Sequence, residues 1–140
     1  MTGLRICIDV DHLDRAIAFY GEAFGLTVRR RGRDVYAELE GGPVPIDLLV
    51  KAPGSAAYLG GTAVRGYHRH WTPVHLDFVV DQLEPAIARA VAAGATVERD
   101  IENNAWGRIA ILADPFGHGL CILEFRGRGY DEILLPESEK

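Results

Sequence analysis

The hydrophobic and polar positions of the chain follow one pattern twice. Residues 8–20 (IDVDHLDRAIAFY) and 78–90 (FVVDQLEPAIARA) are identical at six of thirteen positions. Further along, residues 25–28 (GLTV) correspond to residues 94–97 (GATV). A repeat of this kind is typical of a fold built from copies of one supersecondary unit. The pattern therefore predicts two similar modules in one chain.

Each repeat predicts a short strand followed by a helix. The apolar-rich strand ends at Asp11 in the first repeat and at Asp81 in the second, and these aspartates are predicted N-caps. An acidic residue three positions later completes a capping-box pattern in both copies. Gly25 and Gly94 predict the helix ends, because glycine readily adopts the left-handed conformation of a C-terminal cap. Apolar residues recur at helical spacing in both segments: Leu13, Ile17, Tyr20 and Phe24, then Leu83, Ile87 and Val91.

Three further strands are predicted after each helix, so that each module has the order β-α-β-β-β. The strands are expected at 26–31, 35–39 and 46–51, and again at 96–99, 108–113 and 120–125. The predicted boundaries are 1–51 for the first module, 52–73 for an inter-module loop, 74–126 for the second module and 127–140 for a tail. A loop of this length indicates a functional lid or a mobile linker.

The composition excludes several functional classes. The 140 residues are 48% apolar and 25% charged, with a net charge of −5, as in ordinary globular proteins. The negative charge argues against nucleic-acid binding, and the basic run at 29–33 is interpreted as a solvated strand end. No apolar run is long enough to span a bilayer, so no membrane partner is expected. Two cysteines without CxxC spacing predict free thiols and a cytoplasmic location.

Three motifs together resemble the vicinal oxygen chelate superfamily. They are the repeated D-x-L-[DE]-x-A-I-A, the GLTV/GATV step, and ADPFGHG at 113–119 before the last apolar strand. The superfamily includes glyoxalase I, bleomycin-resistance proteins, fosfomycin-resistance enzymes and extradiol dioxygenases, and the resemblance covers residues 4–126. It implies an α+β fold of two tandem βαβββ modules forming a paired-sheet cup around a cavity.

The resemblance also implies four metal-ligand positions, two in each module. In this chain they are Arg5, Asp47, His75 and Cys121. A guanidinium stays protonated and cannot ligate a cation, so Arg5 disfavours a bound metal. We therefore expect no metal cofactor, with Asp47, His75 and Cys121 as the alternative ligand set for a divalent ion such as Zn²⁺.

Several polar residues are candidates for contact with a ligand. Arg5 has two open roles, an ion pair with Asp47 or a contact with a ligand's carboxylate or enolate. His75 and Asp77 share one face of a strand because they are two residues apart. His75 and Asp47 are the candidate catalytic residues, with His75 as a general base oriented by a carboxylate or as a structurally bonded histidine. Arg5, Asp77 and Cys121 are candidate ligand-binding residues.

Aromatic residues near the loop add a second group of candidates. Tyr67, Trp71 and Trp106 are suited to the wall of a small-molecule site, and core packing is the other interpretation of Trp106. His68 and His70 form an HxH motif that we assign to the loop or the rim of the site. His118 is expected to be exposed in the turn.

Two functions of different classes follow. The first is a metal-independent protein that binds a small organic ligand, anionic or aromatic, as bleomycin-resistance-like proteins do. The alternative is a metal-dependent lyase, isomerase or dioxygenase of the same superfamily. The resemblance also implies a homodimer.

Overall fold

The computed structural model describes residues 1–134, and its first half is one helix packed on a four-stranded sheet. The sheet order is β1-β4-β3-β2, with β1 and β4 parallel. This places the first strand beside the last one of the module, at the edge that meets the second module. The elements are β1 (Ile6–Val10), α1 (Leu13–Phe24), β2 (Thr27–Gly32), β3 (Tyr36–Glu40) and β4 (Ile46–Val50).

The second half repeats this architecture with one additional short strand. Its order is β5-β9-β8-β6, with β5 and β9 parallel and the additional β7 paired to β8. The fold is α+β with two βαβββ modules, as the repeat predicted. The elements are β5 (Leu76–Val79), α2 (Leu83–Ala93), β6 (Thr96–Val97), β7 (Glu102–Asn104), β8 (Gly107–Ala113) and β9 (Gly119–Phe125), followed by a 3₁₀ helix at Gly129–Ile133.

The helix ends agree with the sequence pattern, and the helix starts do not. Gly25 and Gly94 are the C-caps, with φ of 70° and 121°. The predicted N-caps Asp11 and Asp81 are wrong by one residue, since His12 and Gln82 hold those positions. The Nδ1 atom of His12 accepts from the backbone N–H three residues later at 3.3 Å.

The second helix is capped from another strand. Gln82 makes no side-chain cap, and the backbone N–H of Leu83 donates instead to Glu124 Oε2 at 2.8 Å. Glu124 lies on β9 and also pairs with Arg108 and Arg126 at 2.9 Å each. Hydrogen bonding to these partners, with Arg108 contributing most, lowers the pKa of Glu124 to about 2.

The two modules are joined through their helices and through one buried hydrogen bond. Helix α1 packs against α2, and the rings of Phe24 and Phe78 stack with centroids 3.7 Å apart. The hydroxyl of Tyr20 on α1 donates to Asp114 of the second module at 2.6 Å, and both residues are buried. Within residues 1–134, no helix is both long and apolar enough to cross a membrane.

The inter-module loop is held against the first module by an arginine. Arg65 Nε lies 2.7 Å from Asp9 Oδ2, and its guanidinium also reaches Ser55 Oγ at 3.2 Å. The hydroxyl of Tyr67 donates to the carbonyl of Lys51 at 2.6 Å. Of the predicted tail, residues 135–140 lie outside the described residues.

Candidate functional site

Each sheet has one face covered by its helix and one open face. The side chains of Ile6, Ile8 and Val10 pack in the core under α1, so the alternation of a strand puts Cys7 and Asp9 on the open face. In the second module Leu76 and Phe78 pack in the core in the same way, which puts Asp77 on the open face. The sequence analysis placed Asp77 on one face with His75, and the 2.9 Å contact between these side chains agrees with this.

The open face of the first module carries an ion-pair network centred on Arg5. The guanidinium binds Asp47 through two hydrogen bonds, Nε to Oδ2 at 2.8 Å and Nη2 to Oδ1 at 2.7 Å. The same Nη2 lies 3.2 Å from Glu38, and the hydroxyl of Tyr36 donates to Asp47 at 3.1 Å. The hydrogen bonds from Arg5 lower the pKa of Asp47 below its usual range. Of the two roles open to Arg5, the structure contains the ion pair.

Glu38 is a member of this network that the sequence analysis missed. It is only 1% exposed, and Arg5, Arg29 and Arg30 all approach it, the last two at 3.7 and 3.4 Å. The bonded register places Glu38 opposite Asp47 on the neighbouring strand. A charged residue between the core residues of YAELE is the signal for it, because buried carboxylates need cationic partners. The basic run is therefore not purely a solvated strand end.

The open face of the second module carries a different cluster. His75 Nδ1 lies 2.9 Å from Asp77 Oδ1, and donor atoms of His75, Asp77 and Cys121 all lie within 4.8 Å of one another. Register explains the grouping, because Asp77 pairs with Cys121 across β5 and β9. Burial, and then the nearby Asp77 carboxylate, raise the pKa of Cys121 to about 11.

The predicted metal set of Asp47, His75 and Cys121 is not brought together. Within residues 1–134, the group of three or more His, Cys, Asp or Glu donors close enough to share an ion is His75, Asp77 and Cys121. Asp47 is bound by Arg5 on the other sheet. Of the four positions implied by the superfamily, Arg5 and Asp47 therefore form an ion pair on the first sheet. His75 and Cys121 belong to the three-donor cluster of the second module. A single ion held by both modules does not fit this arrangement.

Two cavities adjoin His75. The larger, of about 440 Å³, lies between β1 and β5 and is lined on one side by Cys7 and on the other by His75. The smaller, of about 170 Å³, is lined by Trp71, His75 and Cys121 together with Arg69. The guanidinium of Arg69 is paired with Glu98 through contacts of 2.8 and 2.9 Å. The smaller cavity thus combines aromatic, imidazole, thiol and cationic groups.

The other predicted aromatic residues lie away from this cavity. Tyr67 lines a separate cavity of about 310 Å³ under the inter-module loop. Trp106 packs with Phe125 and Tyr130, with ring centroids 6.0 and 5.1 Å away. The expectation that His118 is exposed is wrong, since it is half-buried and its Nδ1 lies 3.1 Å from His70 Nε2.

Residues 5–123 match the model of the family described as glyoxalase-like domain. An uncharacterised protein of Mycobacterium bovis, Mb0911c, is 32% identical over 115 residues, which are 78% of this chain and 74% of that protein. Its Mycobacterium tuberculosis counterpart Rv0887c has the same identity, and the match covers 66% of its length.

Solved structures share the fold at lower identity. A glyoxalase/bleomycin resistance protein/dioxygenase family enzyme from Burkholderia phytofirmans has a TM-score of 0.68 at 21% identity, covering 87% of this chain and 97% of that one. The fosfomycin resistance protein FosX from Listeria monocytogenes has a TM-score of 0.70 at 16% identity, covering 96% and 99%. The chain belongs to the glyoxalase-like domain family, within the vicinal oxygen chelate superfamily.

Proposed function

We propose that this protein binds a small anionic or aromatic molecule on the open face of its second module, without a metal shared by both modules. The observation that carries the proposal is the two-bond ion pair between Arg5 and Asp47. Both ligand positions that the superfamily implies for the first module are occupied by this pair. A cation placed there would meet the Arg5 charge and would lose Asp47 as a ligand.

The second module retains groups that suit an organic ligand. His75 Nδ1 lies 2.9 Å from Asp77 Oδ1, and a neutral ring that keeps its hydrogen on Nδ1 beside this carboxylate has its lone pair on Nε2. This nitrogen accepts a proton or hydrogen bond from an acidic ligand, and the protonated ring donates to a carboxylate. Trp71 is 82% exposed beside it and offers a face for an aromatic ring. Aromatic walls with few polar groups are typical of small-molecule sites.

The test is a thermal-shift screen in which benzoate, salicylate and acetate are the probes. A ligand that binds the folded state raises the melting temperature, because it stabilises that state by RT ln(1 + [L]/Kd). We expect benzoate or salicylate to stabilise the protein more than acetate, and His75→Gln and Trp71→Ala to reduce the shift. Tyr58→Ala is the control, since it removes an exposed aromatic ring of the loop. Equal shifts in all variants would refute the proposed site.

The same proposal predicts the metal content of the protein. Elemental analysis of the purified protein should show no stoichiometric metal bound by Asp47, and Asp47→Asn should leave the content unchanged. Arg5→His replaces the guanidinium by a neutral imidazole that can act as a ligand. This variant should gain zinc affinity relative to the wild type. An unchanged affinity would show that Arg5 is not what excludes the ion.

A metal-dependent lyase, isomerase or dioxygenase is the second candidate function. The three-donor cluster of His75, Asp77 and Cys121 favours it, because Zn²⁺ accepts imidazole, carboxylate and thiolate ligands. The raised pKa of Cys121 opposes it, since the thiol must lose its proton to bind. One equivalent of zinc in the purified protein, lost in His75→Ala, would support the enzyme over a binding protein with no metal at the His75 cluster.

We also propose that the protein forms a homodimer that covers the open faces. Side chains there remain accessible, with Arg5 46% exposed and His75 50% exposed. Light scattering coupled to size exclusion should give twice the mass of one chain. A monomer at micromolar concentration would contradict this.

A further inference from the structure

The imidazoles of His70 and His118 face each other at the junction of the modules. His70 Nε2 and His118 Nδ1 are 3.1 Å apart, and the two rings are perpendicular with centroids separated by 4.9 Å. His70 belongs to the inter-module loop, and His118 to the turn before β9. Neither residue occupies a ligand position implied by the superfamily.

The remaining ring nitrogens are both bound to backbone carbonyls. His70 Nδ1 lies 2.9 Å from the carbonyl of His68, and His118 Nε2 lies 2.7 Å from the carbonyl of Asp9. A carbonyl oxygen only accepts, so each of these nitrogens must carry the hydrogen. A neutral histidine has only one N–H. The two nitrogens that face each other are therefore both unprotonated acceptors when the rings are neutral.

Two acceptor nitrogens at this distance require a cation between them. The arrangement is the one found around metal-binding histidines, whose second ring nitrogen donates to a carbonyl or carboxylate and so fixes the tautomer. Zn–N bonds are about 2.0–2.1 Å long, so two nitrogens on one tetrahedral zinc ion lie about 3.4 Å apart. The observed separation of 3.1 Å needs only a small ring movement to reach this value.

The fold holds the pair in place from both sides. Asp114 accepts from the backbone N–H of His118 at 2.9 Å, and the N–H of His70 donates to the carbonyl of Gly117 at 3.2 Å. Gly117 has φ of +85°, and a Cβ atom there would lie 2.1 Å from the carbonyl oxygen of His68. Only glycine lets the loop approach the turn this closely. Both rings line the cavity of about 440 Å³, which gives an ion and its waters access.

We propose that His70 Nε2 and His118 Nδ1 are the protein ligands of a divalent transition-metal ion of the zinc type. Water, or a molecule bound in the adjoining cavity, completes the coordination. The ion links the loop to the second module, and through the His118 contact with Asp9 it also links them to the first. Neither ligand belongs to the cluster of His75, Asp77 and Cys121, although His75 lines the same cavity, and the site does not depend on the ligand-binding proposal.

The decisive experiment is a zinc titration of the wild-type protein followed by the NMR signals of the histidine rings. Zinc should shift or broaden the ring signals of His70 and His118 at stoichiometric concentration, and magnesium should not. Cobalt bound at this site should lack the thiolate charge-transfer band that a Cys121 ligand would produce. Ring signals that respond to pH but not to zinc would overturn the proposal, because the cation between the rings is then only a proton.

Variants separate this site from the other histidines. Loss of an outer-shell partner alone commonly costs about 10–100-fold in metal affinity, so His70→Gln and His118→Gln should each weaken zinc binding by at least about tenfold. His68→Gln is the control in the same loop, because it is the backbone carbonyl of His68, which the substitution keeps, that contacts the His70 ring. His75→Gln should leave this binding unchanged. Loss of zinc binding in His75→Gln, with retention in His118→Gln, would assign the ion to the other cluster and refute the proposal.

Discussion

The hydrogen bond between Tyr20 and Asp114 is a buried polar contact between the modules. The hydroxyl donates to one carboxylate oxygen at 2.6 Å, while the other oxygen accepts from the backbone N–H groups of Phe116 and His118. Tyr20→Phe removes the hydroxyl and keeps the ring, which packs edge-on against Phe19 with centroids 4.9 Å apart. The substitution therefore tests the hydrogen bond with little change in apolar packing.

The burial of both groups sets the size of the effect. Tyr20 is 1% exposed and Asp114 is 5% exposed, so little water can replace the lost donor. A hydrogen bond to a charged group contributes about 1.5–3 kcal/mol. We expect Tyr20→Phe to lower the free energy of unfolding by about 1.5–3 kcal/mol. Tyr58→Phe, at a tyrosine that is 62% exposed, should change it by less than about 0.5 kcal/mol.

Urea unfolding followed by tryptophan fluorescence measures this difference. The dependence of the free energy on urea concentration should be the same in both proteins, because the surface exposed on unfolding is unchanged. The double variant with Asp114→Asn should be less destabilised than the sum of the single variants, since both remove the same contact. A loss for Tyr20→Phe no larger than that of the Tyr58→Phe control would refute the reasoning.

The pH dependence provides an independent check. Burial, followed by the charge and hydrogen bonding of Asp114, raises the pKa of Tyr20 well above its ordinary value. Because the pKa is raised in the folded state, the contribution of Tyr20 to the free energy of unfolding is complete below the unfolded-state pKa of about 10. It declines as the pH rises above that value. The difference in unfolding free energy between wild type and Tyr20→Phe should therefore shrink above about pH 10. A difference that grows there would contradict the assigned cause.

Three further predictions follow from local contacts. The pKa of Glu124 is lowered to about 2, so its contribution to the free energy of unfolding is present above about pH 4.3 and is lost as the pH falls toward 2. The stability of Glu124→Gln should lack this pH-dependent loss in acid unfolding experiments. Identical acid unfolding profiles for the variant and the wild type would contradict the prediction. Gly117→Ala should be more destabilising than Gly25→Ala in urea, because both have positive φ but only the first Cβ would meet backbone; equal losses would argue against the close approach. With iodoacetamide at pH 8, mass spectrometry should find Cys7 alkylated well before Cys121, since Cys7 is exposed and the pKa of Cys121 is about 11; equal rates would refute this.

The internal repeat predicted the order of the elements because both modules bury a helix and a sheet with the same apolar spacing. The ends of the helices were also predictable, since Gly25 and Gly94 terminate them through their own backbone conformation. The start of α2 was not predictable from local sequence. Its first N–H group is bound by Glu124, a residue of β9 that only the folded sheet brings to the helix. The additional strand β7 was missed because Glu102–Asn104 is polar and shows no alternation.

The residues of the candidate site were likewise predicted only in part from the sequence. Arg5, at a ligand position that the superfamily resemblance implies, argued against a metal shared by both modules, because a guanidinium is never a ligand. Strand register then decided which groups meet across neighbouring strands, Asp47 with Arg5 and Cys121 with Asp77. Alternation predicts the face on which a residue lies, but not its neighbour on the next strand.

Residue type and spacing by themselves determined the two βαβββ modules and the shared face of His75 and Asp77, and the resemblance to the superfamily made Arg5 a replaced ligand position. Only the tertiary structure decided that Cys121 joins His75 and Asp77, that Glu38 joins the Arg5 network, and that His70 meets His118. The physical reason is the separation along the chain over which each interaction acts. Propensity, capping by glycine and alternation act between near neighbours in the chain, whereas the pairing of charges and imidazoles depends on strand register and on a loop approach that Gly117 permits.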